Sequence, residues 1–398
     1  MNTDIVSLRD MELQAKSLIP HNVWDFISGG AQDMITTHRN IEQFNAIKLR
    51  PKPFLQTNTR KLSTTILDHS ISIPVLLGAA GGHTFVHPNG ELDTAQAAKD
   101  INTGLALSTS SDYSLQEVAK VDPNPRIFQL YHCGKALTEI LVKQAEDFGY
   151  AAIMLTVDCP VPSPMERDVR NEFHKYGGST LGNFKSTKIR ELLPPETKLV
   201  DMWERPPNLP MAFTELEWLK RLTSLPLIVK GIRTPEDALL CIENGVDGLL
   251  VSNHGGRQID TTLSSVETLP EIARVVQGKI ELYLDSGIRS GFDVLKALAL
   301  GAKAVFIGRP LFWGLALGGS KGVRKVLSIL RSELDEAMQY SGLSSIADAN
   351  PSILDLPRTM KMAENTAIRN IKDMALLLKQ GTITDEIFQS NKAKLLQL

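Results

Sequence analysis

Between residues 73 and 310 one unit repeats along the chain. A short apolar run ends in polar or glycine residues, and an amphipathic stretch follows. The apolar runs are IPVLLG, GLALS, RIFQLY, AAIMLTVD, PLIVKG, DGLLVSN, IELYLD and KAVFIG, eight in all. Runs without polar alternation suit strands buried on both faces, as in parallel sheets covered by helices. The stretches between them read as helices: GELDTAQAAKD, SLQEVAK, KALTEILVKQAED, ELEWLKRL, PEDALLCIEN, SVETLPEIARVV and SGFDVLKALAL. Thr234 caps one of these, Pro235 opens its first turn and Gly245 stops it. Eight strand–helix units over roughly 240 residues predict an α/β fold of the (β/α)8 TIM-barrel type. A doubly wound open sheet is the alternative; the count of eight and the lack of G-x-G-x-x-G after the first run argue against it.

The flanks divide accordingly. Residues 1–72 read as helices packed on the barrel, with a short hairpin near 62–73. Residues 73–345 form the barrel, and 346–398 a helical tail (AENTAIRNIKDMALLLKQG) that wraps the barrel or a neighbouring subunit. One unit is oversized: residues 177–210, rich in Gly, Pro, Lys and Ser, read as a lid loop or as an insertion without a role.

Composition narrows the partners. A formal net charge of -2 gives no global field toward nucleic acid or an anionic membrane. Cys133, Cys159 and Cys241 lack C-x-x-C spacing, which argues against a zinc site or a disulfide framework and fits a reducing compartment. The sequence MNTDIVSLRD lacks a signal-peptide core, no run of about 18 apolar residues offers a membrane span, and LLQL is not a standard peroxisomal ending. A cytoplasmic location is the expectation.

The chemistry collects where the runs end, because a TIM barrel builds its site at the C-terminal ends of its strands. Standing there are Gly78 to Gly82, Ser108, Gln129 with Tyr131, Thr156 with Asp158, Lys230, Asn253-His254 with Arg257, Asp285 to Arg289, and Gly308-Arg309. Gly287, Arg289, Gly308 and Arg309 offer glycine turns and two guanidinium forks on the last two strands, where barrels bind phosphate. With no Walker sequence, that phosphate points to a cofactor such as flavin mononucleotide. The glycines after the first strand let a flat ring approach the backbone, and Ser108, Gln129 and Thr156 can bond its edge. Lys230 puts positive charge where negative charge develops on reduction. His254 can take a proton, Asp158 can orient it, and Arg257 can hold a carboxylate.

These residues resemble the FMN-dependent α-hydroxy acid oxidase/dehydrogenase family. SNHGGRQID resembles the signature around its catalytic histidine. FQLY (128–131), LTVDCP (155–160), LPLIVKG (225–231), DSGIRSG (285–291) and ALALGAKAVFIGRP (297–310) follow in order, and WDFISGGAQD (24–33) and FNAIKLRP (44–51) are similar to the N-terminal segment. The resemblance covers the chain to about residue 347. It implies FMN as cofactor and no metal. His254 would be the base, with Asp158 paired to it, Tyr131 hydrogen-bonding the substrate and Lys230 stabilising the reduced flavin. Arg257 and, from the N-terminal motif, Trp24 would meet the substrate. Ala79, Ala80, Gly81, Ser108, Gln129, Thr156 and Ser252 would contact the flavin, while Asp285, Gly287, Arg289, Gly308 and Arg309 would hold its ribityl chain and phosphate. It also implies O2 or another electron acceptor and a homo-oligomer, a tetramer in related enzymes.

Five positions depart from the family pattern. Trp24 replaces a tyrosine, although hydroxymandelate oxidases look similar there. Pro164 and Met165 stand where G-R-R-E has its two arginines. Ser110 replaces a large aromatic, and Gly81 replaces an alanine near flavin N5, leaving the acceptor open. Losing a charge-assisted contact to a buried carboxylate costs about 2–5 kcal/mol, and Arg167 lies two positions away. The expectation is a 2-hydroxy acid larger or more specialised than glycolate or lactate, oxidised to the 2-oxo acid. The alternatives are an ordinary member of the family with another residue filling the gap, oxidation of an amine or non-carboxylate substrate, or a flavin-dependent isomerase, on the same barrel. A non-enzymatic flavin-binding scaffold would not need His254, Asp158 and Arg257 together.

Overall fold

The computed structural model describes residues 5–54, 59–121, 123, 125–161, 163, 165–173, 180–193, 213–357, 360, 374–375, 377–379, 381 and 383–396. Three helices come first: α1 (Leu8–Leu18), α2 (His21–Ser28) and α3 (Ile35–Ala46). A short strand β1 (Lys48–Leu49) and a hairpin, β2 (Thr64–Ile66) with β3 (His69–Ile71), lead into the barrel.

The eight apolar runs become β4 (Val75–Ala80), β5 (Leu105–Ser108), β6 (Arg126–Leu130), β7 (Ala152–Thr156), β8 (Leu227–Ile232), β9 (Gly248–Val251), β10 (Glu281–Leu284) and β11 (Ala304–Ile307). They pair in parallel in chain order, and β11 closes on β4 through Val305–Val75, Phe306–Leu76 and Ile307–Leu77. The α/β barrel expected from the repeat is therefore observed. Helices follow the strands at Gly90–Ile101, Lys135–Asp147, Pro235–Glu243, Ser265–Val276 and Gly291–Ala299. The Thr234 side chain caps the helix at Pro235, as read from the sequence.

The strands lack hydropathic alternation because both faces are dry. Leu76, Ala106, Ile127, Met154, Ile228, Leu250, Tyr283 and Phe306 fill the bore, while their neighbours Val75, Leu77, Leu105, Leu107, Ile153 and Leu155 pack outward under the helices. Ile66 and Ile71 of the hairpin join the bore cluster and stopper the N-terminal end. One further inward step along each strand changes its character: Ala106 gives way to Ser108, Ile127 to Gln129, Met154 to Thr156, Ile228 to Lys230, Leu250 to Ser252 and Phe306 to Gly308. The two-residue period thus lifts one polar layer onto the C-terminal rim.

Three features differ from the sequence reading. A 33-residue helical segment, Arg309–Ser341, runs past the last strand with a break at Gly318–Gly319. A strand β12 (Leu354–Asp355) returns to pair antiparallel with β1. Within the oversized loop, 180–193 is packed rather than free: Leu181, Phe184 and Ile189 are buried, and Asn183 donates to the Ser108 and Thr109 carbonyls at 3.2 Å. The rest of that loop, 177–179 and 194–210, lies outside the described residues, as does most of the AENTAIRNIKDMALLLKQG tail pattern. Among the described residues no helix is long and apolar enough to cross a membrane.

Candidate active site

A cavity of about 540 Å³ opens on the C-terminal rim. Its lining gathers Ala79, Ala80, Gly81, Ser108, Gln129, Tyr131, Thr156, Lys230, His254, Arg257, Asp285, Gly287, Arg289, Gly308 and Arg309. Residues spread over 230 positions of sequence meet here because each follows a strand of one closed barrel. Ser108, Gln129 and Thr156 form a buried ladder across β5, β6 and β7. The Ser108 hydroxyl donates to Gln129 Oε1 at 2.9 Å, and Gln129 Nε2 donates to Thr156 Oγ1 at 2.9 Å.

The acid–base group is compact. His254 sits in the left-handed region (φ +57°) on the turn after β9, where the Asn253 side chain accepts from the Gly256 amide. His254 Nδ1 lies 3.0 Å from Asp158 Oδ1, and Lys230 Nζ lies 3.4 Å from Asp158 Oδ2. Burial alone would raise the Asp158 pKa, but Lys230 and His254 together hold it well below the usual carboxylate range. Burial likewise opposes the Lys230 charge, and Asp158 and Asp285 outweigh it, so the ammonium persists. With an ionised carboxylate as its acceptor, Nδ1 carries the proton and Nε2 the lone pair. Lys230 Nζ at 3.1 Å and Cys159 Sγ at 3.3 Å complete the surroundings of Nδ1. Asp158, Cys159 and His254 bring ligand-type atoms within 4.8 Å of one another, but the Lys230 ammonium already supplies the positive charge there. Tyr131 is held protonated by burial and by its neighbours Cys159 and Asp158.

Three partly buried guanidinium groups define the cationic end. Arg309 donates to the Ile27, Gly255 and Gly29 carbonyls at 3.1, 3.1 and 2.7 Å. Arg257 donates to the Phe26 carbonyl at 2.5 Å and lies 4.7 Å over the Phe26 ring. Arg289 lies 5.1 Å over the Trp313 ring. Several of these acceptors are the final carbonyls of α2, whose dipole favours cations at that end. Burial pushes Arg309 down to about 9, reinforced by Arg289 and Arg257. Such a cluster is relieved by an anion. Gly308, where a Cβ would meet nothing within 4 Å, leaves space beside it. These residues fit the phosphate of FMN, and the polar ladder fits the edge of its ring.

Most of the residues singled out in the sequence meet at this cavity, and several do not line it. Asp158 stands behind His254. Ser252 is fully buried, and its hydroxyl accepts from the His254 amide at 3.0 Å rather than reaching the cavity. Trp24 does not line the cavity: Val23, Trp24 and Ile27 share the buried face of α2, and Phe26 and Ile27 line the cavity. Gly287 lines the cavity, but its tightest constraint is elsewhere, since a Cβ there would stand 2.2 Å from the Asn40 carbonyl of α3. Met165 and Ser110 both line the cavity, whereas Arg167 turns to Asp25 at 3.6 Å and does not. Reading the sequence missed Cys159, Asp168 and Phe173 as cavity residues. Phe173 stacks on Phe26 with ring centroids 4.4 Å apart. Only the motif WDFISGG signalled this wall, and it did not say which side chain turns inward.

Comparison with known proteins agrees with this geometry. A family model described as FMN-dependent dehydrogenase matches residues 15–356. The chain is 41% identical over 351 residues to a 2-hydroxyacid oxidase of Dictyostelium discoideum, covering 88% of this chain and 90% of that protein. It is 42% identical over 358 residues to an L-lactate oxidase of Nostoc sp., covering 88% and 98%. Among solved structures, a mandelate oxidase superposes with a TM-score of 0.80 at 34% identity, covering 88% of this chain and 98% of that one.

Proposed function

The chain belongs to the FMN-dependent dehydrogenase family, as an FMN-dependent oxidoreductase of the 2-hydroxyacid oxidase group, and from that premise we propose that it oxidises a 2-hydroxy acid bulkier than glycolate or lactate to the 2-oxo acid. The observation that carries this reading is the His254–Asp158 pair at a cavity also lined by Tyr131 and Arg257.

FMN, when bound, supplies the two-electron acceptor. His254 takes the proton lost by the substrate at Nε2, and Asp158, 3.0 Å from Nδ1, stabilises the imidazolium that results. Lys230 holds a positive charge between Asp158 and the cavity, where negative charge accumulates on reduction. Tyr131 donates its hydroxyl hydrogen, and Arg257 neutralises the substrate carboxylate. The pocket accepts bulk because Met165 and Ser110 replace larger or cationic groups and because Phe26, Phe173, Val161 and Val169 add apolar wall. The solved mandelate oxidase neighbours bind aromatic hydroxy acids, (S)-4-hydroxymandelic acid among them, which supports a bulky substrate.

The test is anaerobic mixing of the yellow protein with a panel of 2-hydroxy acids, amines and simple alcohols, read by loss of flavin absorbance. A branched or aromatic 2-hydroxy acid is expected to bleach the flavin faster than lactate. Bleaching by an amine alone would replace this reading with the amine-oxidation alternative. Replacing His254 by Ala should slow bleaching by about 100-fold or more while leaving FMN bound; unchanged bleaching would remove His254 from the role of base.

A further inference from the structure

The loop after β7 carries a carboxylate, Asp168, into the cavity three residues after Met165, one of the two positions where the family pattern has arginines. Asp168 lines the cavity, and its Oδ1 is buried without a hydrogen-bond partner. The Ser163 hydroxyl lines the same cavity and is likewise buried and unpartnered. Asp25, the nearby acid, is by contrast satisfied: Asn171 donates to it at 2.6 Å, and Arg167 and His21 lie at 3.6 and 3.4 Å. Arg257 attracts Asp168 through space but spends Nη1 on the Phe26 and Gly29 carbonyls. Buried polar atoms without partners are rare and mark places where a ligand or water completes the bonding. The surrounding wall is aromatic and apolar, with the stacked Phe26–Phe173 pair and Val169, and aromatic faces favour cations.

We propose that Asp168 is a specificity-determining residue that accepts a hydrogen bond from a donor at the far end of the substrate side chain, an ammonium in preference to a hydroxyl. This rests on the 2-hydroxy acid reading above: Arg257 takes the carboxylate, Asp168 takes the distal donor, and Met165 adds a neutral wall to the cavity. The substrate class is a 2-hydroxy acid with an amine-bearing side chain.

The test uses the full chain loaded with FMN. The probes are 4-amino-2-hydroxybutanoate, 5-amino-2-hydroxypentanoate and 6-amino-2-hydroxyhexanoate, each compared with the isosteres in which the amine is a hydroxyl or a methyl. At the best-fitting length the ammonium member should exceed its methyl isostere by about 10-fold or more in kcat/KM, with the hydroxyl between them. Asp168→Asn should collapse that ratio. A water completing Asp168, or a role confined to balancing Arg257, predicts no preference at any length and equal effects of Asp168→Asn on all members; either result overturns the proposal. If no 2-hydroxy acid bleaches the flavin, the reaction reading fails separately. Asp168 is then judged by calorimetric binding of 6-aminohexanoate against heptanoate. Tighter binding of the amine, lost in Asp168→Asn, upholds the residue's role, and equal affinity ends it.

Discussion

Asp168 shows what a single residue at this site costs the fold. Burial pushes its pKa up to about 6, with Arg257 opposing and Asp25 reinforcing. An acid whose folded pKa lies above its unfolded value near 3.8 is destabilising once charged. The associated stability is fully present below about pH 3.8 and is lost as pH rises through about 6. Asp168→Asn is therefore expected to melt at a higher temperature than the parent at pH 8, with the two converging at pH 4. A parent equal to the variant at both pH values would show that the carboxylate carries no burial penalty. Retention of a destabilising group at a cavity wall fits a functional demand. At this scale the sequence was legible where chemistry is local: His254 and Arg257 stand three apart on a glycine turn. It was silent on Asp168, Cys159 and Phe173, because burial and orphaned bonding depend on what other strands bring alongside.

Elements were legible wherever their burial was uniform. The eight strands are continuous apolar runs because the bore and the helix-facing side are both dry, so length and spacing sufficed. The segment Arg309–Ser341 was not legible as one helical piece, since Gly318 and Gly319 interrupt the pattern that tertiary packing maintains. Strand β12 has only two residues, too few for a periodicity. Seating of α3 on the rim is likewise a matter of close approach. Gly256 and Gly287 have φ of +76° and +102°, and a Cβ on them would stand 2.5 Å from Thr37 Oγ1 and 2.2 Å from the Asn40 carbonyl. Asn40 and Asn253 exchange side-chain bonds at 3.0 and 2.7 Å across the same seam. Gly287→Ala should thus lose about 2–5 kcal/mol in urea unfolding. Gly245→Ala, at φ +69° with nothing within 4 Å, should lose only about 1 kcal/mol. Equal losses would show that the backbone conformation, not α3, sets the cost.

At the scale of the whole molecule, the cationic end is expected to couple folding to the cofactor. Arg257 and Arg309 are tied to the end of α2 and Arg289 lies over Trp313, so an anion bound at Arg289 and Arg309 would stabilise the N-terminal segment and barrel at once. Ligand at 100 times its dissociation constant adds about 2.7 kcal/mol. Stripping FMN should lower the melting temperature, and inorganic phosphate should restore part of the loss. In Arg289→Met the flavin should leave on gel filtration and phosphate should no longer help. Undiminished FMN retention by that variant would move the phosphate away from Arg289. The hairpin below has its own consequence. Ile66 and Ile71 cork the tube at one mouth, and side chains from Leu76 to Phe306 fill it. Among the described residues the tube leaves no passage, so what reacts and what is formed both use the C-terminal rim, and a departing product has to clear it before the next arrival.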